Sequence, residues 1–466
     1  MKKLLAILAC FGLLFTAAWA EGEEIHIQLS DDMILVNGAP ILEDTSQAVY
    51  LAHQVEVHED VPEELEGLSN RVVTITQDGT YRFTGSAGDA QIAVKAGEDD
   101  EVRIILDNVD IACRTAPAIE VLTAKDPRTA GEYAVTIELA EGSMNNVTGF
   151  HTEEVEEDDV KLSGAITSLV SVGFVGEGYL NVDGDNEGIE VKLGHMTFDG
   201  GNIIVTSGDD PLNASEDGVS VITVNDGLLH LKVRPDKGGE GDGMDSNGAI
   251  VINGGVVDSY AHPDSMDSGI DSDLGCTING GIVLGAGNMY DEISAESAQL
   301  FMALQFAETV DDMIVLTTMD GSLVGVSQES AGYTSFVFSL PELEEGDYCL
   351  YLGGELEMQD GEMVYTPGTR LQHGGSFGGR MGRGGKAGMV RPEEMPELPE
   401  GMEKPEDMPE PPEGMRRPDR QMRENFENAQ NGGMLRFGGK GMGTEVSTTF
   451  HLAPGSTMFA GITAAE

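Results

Sequence analysis

The sequence predicts an all-β fold built on a right-handed single-stranded parallel β-helix, and three observations carry that expectation. First, the chain repeats itself between Met196 and Gly285: Met196-Thr-Phe-Asp-Gly-Gly, Ile222-Thr-Val-Asn-Asp-Gly, Ile250-Val-Ile-Asn-Gly-Gly and Cys276-Thr-Ile-Asn-Gly-Gly align, and Asp199, Asn225, Asn253 and Asn279 follow at spacings of 26, 28 and 26. Second, apolar residues within each unit alternate with small or polar ones, which is the period of a strand. Third, equivalent positions are apolar from unit to unit: Phe198, Val224, Ile252 and Ile278 form one column, and Ile203, Leu229, Val257 and Val283 another. A unit of this length buries its apolar face only by stacking on its neighbours, as in a solenoid.

The elements follow in order. Residues 1–20 read as a secretory signal peptide: Met1-Lys2-Lys3 is basic, Leu4 to Ala18 is apolar, and Ala18-Trp19-Ala20 offers a small-residue cleavage site. No later stretch is long and apolar enough to span a bilayer, so the mature chain is expected outside the cell or held at its surface. Residues 21–70 carry short strands (Glu24 to Leu29, then Met33 to Val36 before Asn37-Gly38) that cap the first rung, whose open edge would otherwise invite pairing. The coil is expected over 71–292, beginning at Val72 to Thr76, with an acidic loop at Glu153 to Asp159. Residues 295–370 alternate in short runs broken at Asp320-Gly321 and Glu345-Gly346, the pattern of a small antiparallel β-sandwich-like module. Residues 371–443, rich in glycine, proline, glutamate and methionine, lack the apolar periodicity to bury a core and read as a disordered insertion. Residues 444–466 contain strand-like segments expected to return to the second module.

The net charge is −56, from 82 acidic and 26 basic residues. Between Ala165 and Thr369 the bases are Lys192, Lys232, Arg234 and Lys237 alone. That sign excludes non-specific nucleic-acid binding, and it implies self-repulsion unless cations are bound. Cys113, Cys276 and Cys349 remain after the signal, odd in number and widely spaced, so no disulfide framework is expected. Cys276 shares the column of Met196, Ile222 and Ile250 and reads as a small buried hydrophobe.

A second repeated element precedes the Gly-rich turns: Glu187-Gly188-Ile189-Glu190, Asp217-Gly218-Val219-Ser220, Asp242-Gly243-Met244-Asp245 and Ser268-Gly269-Ile270-Asp271. The expected arrangement points Ile189, Val219, Met244 and Ile270 inward and the flanking acids outward. Glu187, Asp217 and Asp242 then make one column, and Glu190, Asp245 and Asp271 another, with Asp209, Asp210, Asp264, Asp267 and Asp273 in nearby turns. Rungs lie about 4.8 Å apart, where like unit charges repel by roughly 3–4 kcal/mol at an effective dielectric near 20. A bridging cation relieves that repulsion, and oxygen-only ligands without a histidine cluster select Ca²⁺. The densest ligand set is Asp242, Asp245, Asp267 and Asp271, with Asp217, Glu190, Glu187 and Asp273 flanking it. The plainer alternative is a solvated acidic face that serves solubility.

These residues resemble a known family. Asp-Gly-Met-Asp-Ser-Asn-Gly at 242–248, Ser-Gly-Ile-Asp-Ser at 268–272, Ile75-Thr-Gln-Asp-Gly-Thr-Tyr81 and Ile104-Ile-Leu-Asp-Asn-Val-Asp110 are similar to bacterial secreted carbohydrate-binding proteins of clostridia and relatives. The similarity covers roughly Ile25 to Gly354. It implies a calcium-binding parallel β-helix akin to pectate lyases, and a partner such as a plant cell-wall polysaccharide, cellulose or pectic uronate. Carbohydrate platforms use aromatic faces; with Trp19 in the signal, Tyr179, Tyr260 and Tyr290 are the tyrosines available in the rungs, each equally readable as ordinary packing. A non-catalytic, monomeric binder is the expected form. The alternatives are a calcium-dependent polysaccharide lyase, for which Lys232 and Arg234 alternate on one strand as cationic candidates, and a structural surface adhesin.

Overall fold

Alternation of apolar and polar residues makes strands, and the computed structural model shows them to be the chain's whole regular structure: among the described residues it is all-β, with no helix. The described residues are 24–55, 69–151, 161–327, 332–359, 362–377, 446–453 and 457–465. The signal segment 1–20, the acidic loop Glu153–Asp159 and nearly all of the expected insertion lie outside them. The described residues all belong to the unit formed by Met1–Met381 and Val446–Glu466. Among the described residues no helix is long and apolar enough to cross a membrane.

Parallel ladders form the body. A nine-stranded sheet begins at Val49–Val55, antiparallel to Ser69–Ile75. It then runs parallel through Ala90–Lys95, Ile119–Thr123, Gly164–Ser168, Glu187–Val191, Leu212–Ala214, Met244–Ser246 and Asp271–Ser272. Two further ladders share long bent strands. In Met196–Ser207 the first residues pair with Val172–Phe174, and Asn202 onward pairs with Tyr179–Asp183. The bend falls at the Gly-Gly turn, where Gly201, Gly227, Gly255 and Gly281 hold φ of 89°, 99°, 75° and 89°. Glycine adopts that conformation without strain, which is why it recurs at this corner in these four rungs.

The interior columns stack in register. Phe198 opposes Val224, then Ile252 and Ile278; Ile203 opposes Leu229, Val257 and Val283. All are almost completely buried. Phe174 stacks on Phe198 with ring centroids 5.0 Å apart. Cys276 lies on Ile250 at 1% exposure, and Cys113, Cys276 and Cys349 are free thiols. At the start of the body, Ile25–Leu29 pairs parallel to Gly79–Ala87 and antiparallel to Leu35–Val36.

After Ile282–Gly287 the pairing becomes antiparallel, with Tyr333–Ser339 bonded to that strand and to Phe301–Val310. A second apolar cluster including Leu304, Phe336, Phe338, Leu350, Phe450 and Phe459 lies here. Phe450–Leu452 pairs with Gly346–Gln359, and Thr457–Ala464 runs parallel to Phe301–Val310. An antiparallel strand laid on the last rung covers an edge that would otherwise be open.

Candidate functional site

The site lies on the nine-stranded sheet, on the side of its strands opposite the apolar core. Ile189, Leu212 and Met244 pair in register and point inward at 0% exposure, with Ile270 at 2%. Their neighbours point the other way. The positions of Glu190, Asn213, Asp245 and Asp271 pair in succession. One file over, the main-chain amide of Gly188 donates to the Asp210 carbonyl, that of Asp242 to Asp210 Oδ1 at 2.7 Å, and that of Ser268 to Asp242 Oδ1 at 2.6 Å.

This arrangement corrects the sequence expectation at one rung. Leu212, not Val219, enters the core; Val219 is 42% exposed. Asp210 and Asn213 therefore take the file positions, while Asp217 is exposed and accepts a hydrogen bond from Asn247 at 3.0 Å. The misleading feature is Gly218. The glycine of the true motif sits where two rungs touch: a Cβ on Gly243 would lie 2.7 Å from the Gly269 carbonyl oxygen. Gly218 has φ of 68° with open space around it, so it makes a turn in the excursion after Ala214.

A second correction concerns exposure. The acids are not spread over a solvated surface: Glu187, Glu190, Asp210, Asp242, Asp245 and Asp271 are 7%, 1%, 8%, 6%, 8% and 5% exposed. One carboxylate oxygen from each of Asp242, Asp245 and Asp271 lies within 4.8 Å of the others. Asp267 is half-buried, its Oδ2 accepting from the Gly241 amide at 2.7 Å, whereas Asp273 is exposed beyond the strand.

The electrostatics follow from burial among like charges. Glu187, Asp210 and Asp242 are pushed well above the usual carboxylate range, first by burial and then by neighbouring acids. Asp209 rises to about 6 through burial, with Glu240 and Asp267 adding to it; Asp291 also rises to about 6, through burial and then Asp271. Lys192 Nζ lies 2.5 Å from Glu190 Oε1, and Asn213 Nδ2 donates to Glu187 Oε1 and Asp210 Oδ2 at 3.2 and 3.0 Å. Glu187 Oε2 is buried with no hydrogen-bond partner. A buried acceptor without a donor is costly, and here several acceptors meet. Hard oxygen donors, an orphaned carboxylate oxygen and a three-carboxylate cluster fit a hard divalent cation. Asp210 and Asp291 were legible only through the Leu212 and Ser272 strands, which have three and two residues.

The remaining candidate residues lie elsewhere. Lys232 is exposed on the ladder containing Val256–Tyr260, and Arg234 pairs with Asp183 and donates to the Gly184 carbonyl at 3.0 Å. Neither stands on the carboxylate sheet. Tyr260 is 5% exposed and packs against Tyr333 with centroids 5.9 Å apart. Tyr290 is partly buried against the core, its hydroxyl accepting from the Ile293 amide at 3.3 Å. Those two rings are packing residues, while Tyr179 stands 50% exposed.

Comparison with known proteins gives three matches. The family described as carbohydrate-binding domain-containing protein matches residues 69–305, the segment that holds every carboxylate of the site. A carbohydrate-binding domain-containing protein of Acetivibrio thermocellus is 34% identical over 140 residues, 30% of this chain and 46% of that protein, so the match spans under half of the relative's length. The solved gadolinium derivative of a polysaccharide lyase-like protein from C. thermocellum is similar at 23% identity and a TM-score of 0.34, covering 56% of this chain and 93% of that one.

Proposed function

The chain belongs to the carbohydrate-binding domain-containing protein family, and from that membership we propose that it is a secreted, calcium-holding, non-catalytic binder of plant cell-wall polysaccharide. The observation that carries the calcium reading is the cluster of Asp242, Asp245 and Asp271 beside the partnerless Glu187 Oε2, all removed from solvent on one sheet of the matched segment. Asp210 lies in the same file as Asp242 and brings further oxygens. Bound Ca²⁺ supplies positive charge that offsets the repulsion between rungs and admits the carboxylates of an anionic polymer.

The proposal extends to the body and its destination. We read the coil as right-handed, the sense that parallel crossovers adopt almost without exception, and as a monomer led to the outside by residues 1–20. Cellulose and pectic uronates are the ligand classes, the second through calcium. The non-catalytic reading is supported by the placement of Lys232 and Arg234 away from the acids, and by the engagement of Arg234 with Asp183.

Retention on cellulose and on polygalacturonate, each with calcium and with a chelator, tests this function. Retention on at least one polymer is expected, with polygalacturonate binding lost on chelation. A protein that passes through both columns in calcium contradicts the reading. Release of unsaturated uronate product, followed by its ultraviolet absorbance, instead identifies a lyase.

A further inference from the structure

The ladder formed by Met144–Gly149, Tyr179–Gly184, the second half of Met196–Ser207, the second half of Val221–Val233, Val256–Tyr260 and Ile282–Gly287 presents a face that the calcium reading does not use. One register column on it runs Met144, Tyr179, Asn202, Leu228, Val256, Ile282, one residue per rung. Met144 is 65% exposed, Tyr179 50%, Leu228 39% and Ile282 44%. Asn202 interrupts the apolar run, its amide turned to the Glu177 and Gly178 carbonyls, and Ile204 in the adjoining column, 39% exposed, stands beside that gap. Single exposed apolar residues are ordinary. A file of them along one straight sheet face is a patch, and patches of that kind mark interaction sites.

The polar groups beside the strip are mostly amides, with Asp199 and Asp226 at one edge and Asp258 at the other. Across the Gly-Gly turns, Asn225 Nδ2 donates to Asp199 Oδ1 at 2.7 Å, Asn253 to Asn225 at 2.8 Å and Asn279 to Asn253 at 2.8 Å, all exposed. Each amide has two N–H donors and an oxygen with two lone pairs, so a ladder bond leaves donors and acceptors free for a ligand. On the other side, Asn181 donates to Asn146 at 3.0 Å, and the charge of Asp258 is shared with His230 at 2.9 Å. The column itself carries no charged side chain. In a chain of net charge −56, this uncharged column is where a neutral polymer covers apolar side chains, while Glu177, Asp199 and Asp226 stay exposed at its edge.

We propose that this face is the docking platform for a neutral β-linked glycan chain, lying along the stack of rungs and independent of calcium. The inference rests on the carbohydrate-binding reading and deepens it, by assigning the surface and the ligand charge. A pyranose in an extended chain offers apolar C–H faces and hydroxyl-bearing edges. The strip from Met144 to Ile282 takes the faces, and the amides on both flanks take the edges. Six successive positions at about 4.8 Å per rung give a platform roughly 24 Å long, enough for several sugars. Tyr179 is the aromatic anchor of the strip, and contacts of this kind dominate binding at such surfaces.

The test compares the full mature protein with the variant Tyr179→Ala/Leu228→Asn/Ile282→Asn, whose side chains are exposed, on insoluble amorphous cellulose and on polygalacturonate, with and without chelator. Melting temperature checks the fold, and Leu228→Asn alone serves as a milder second variant. The proposal expects wild-type retention on cellulose to survive chelation, and the triple variant to bind cellulose at least about tenfold more weakly while melting normally. Unchanged cellulose affinity in the triple variant overturns the platform and leaves the carbohydrate-binding reading standing. Wild-type retention on polygalacturonate alone overturns the neutral ligand, and wild-type failure on every glycan removes the family-based reading together with the platform.

Discussion

The asparagine file on the Gly-Gly turns and the carboxylate files on the nine-stranded sheet climb the same rungs under opposite chemistry. Asparagine donates and accepts, so Asn225, Asn253 and Asn279 hydrogen-bond upward from Asp199 in open solvent and need nothing else. A carboxylate only accepts. Glu187, Asp210 and Asp242 therefore draw on backbone amides and Asn213, and still leave Glu187 Oε2 without a donor. Repetition thus stabilises a file of amides and strains a file of acids, unless protons or a cation enter the second.

Calcium should give the largest separation between the two files. Addition to chelator-stripped protein at a hundred times its dissociation constant stabilises the fold by about 2.7 kcal/mol, which raises the melting temperature by about 4 °C for a body of this size. Calorimetry reads the shift, and an unchanged transition places the acids in the same self-sufficient class as the asparagines.

Neutralising one acid sharpens the comparison because its sign reverses with conditions. Asp210→Asn removes a buried charge and adds a donor, so the chelated variant should melt higher than wild type by about 1 kcal/mol of stability. The same variant should lose most of the calcium-induced rise. A fall in stability under both conditions contradicts the strained-file account.

The pH response carries the same contrast. Burial raises Asp209 and Asp291 from 3.8 to about 6, and moves Glu187, Asp210 and Asp242 in the same direction. A folded pKa above the unfolded one means that the folded state holds the extra protons. The stability they contribute is complete below about pH 4 and is lost as pH rises through about 6. Chelated protein should therefore melt higher at pH 4.5 than at pH 7.5, and calcium should narrow or invert that difference. Asn253→Asp has the smallest effect: it removes one exposed ladder donor and costs about 0.5–1 kcal/mol, with or without calcium.

The interior was the legible part of the molecule. Met196, Ile222, Ile250 and Cys276 announce their stacking because apolar columns recur at rung spacing, and the Gly-Gly turns recur for a backbone reason. The acidic sheet was legible only in outline. The strands that carry the acids have two to five residues, so the excursion Ser215–Ser220 could shift the alignment and present Asp217-Gly218 as a rung while Asp210-Pro211-Leu212 held the position. Burial of the acids was not legible, because period-two alternation says which side of a strand a residue takes and not what covers that side. The exposed strip escaped because alternation beside Leu229 and Val283 turns single residues such as Leu228 and Ile282 outward, and only the register shows that they line up into one column.

Isothermal titration of calcium into chelator-stripped protein, beside the Asp245→Asn variant, tests the central claim most directly. The account expects saturable binding by the wild-type chain and at least tenfold weaker binding by the variant, or about 1.4 kcal/mol. Absence of binding heat, together with a melting temperature indifferent to calcium, would contradict it.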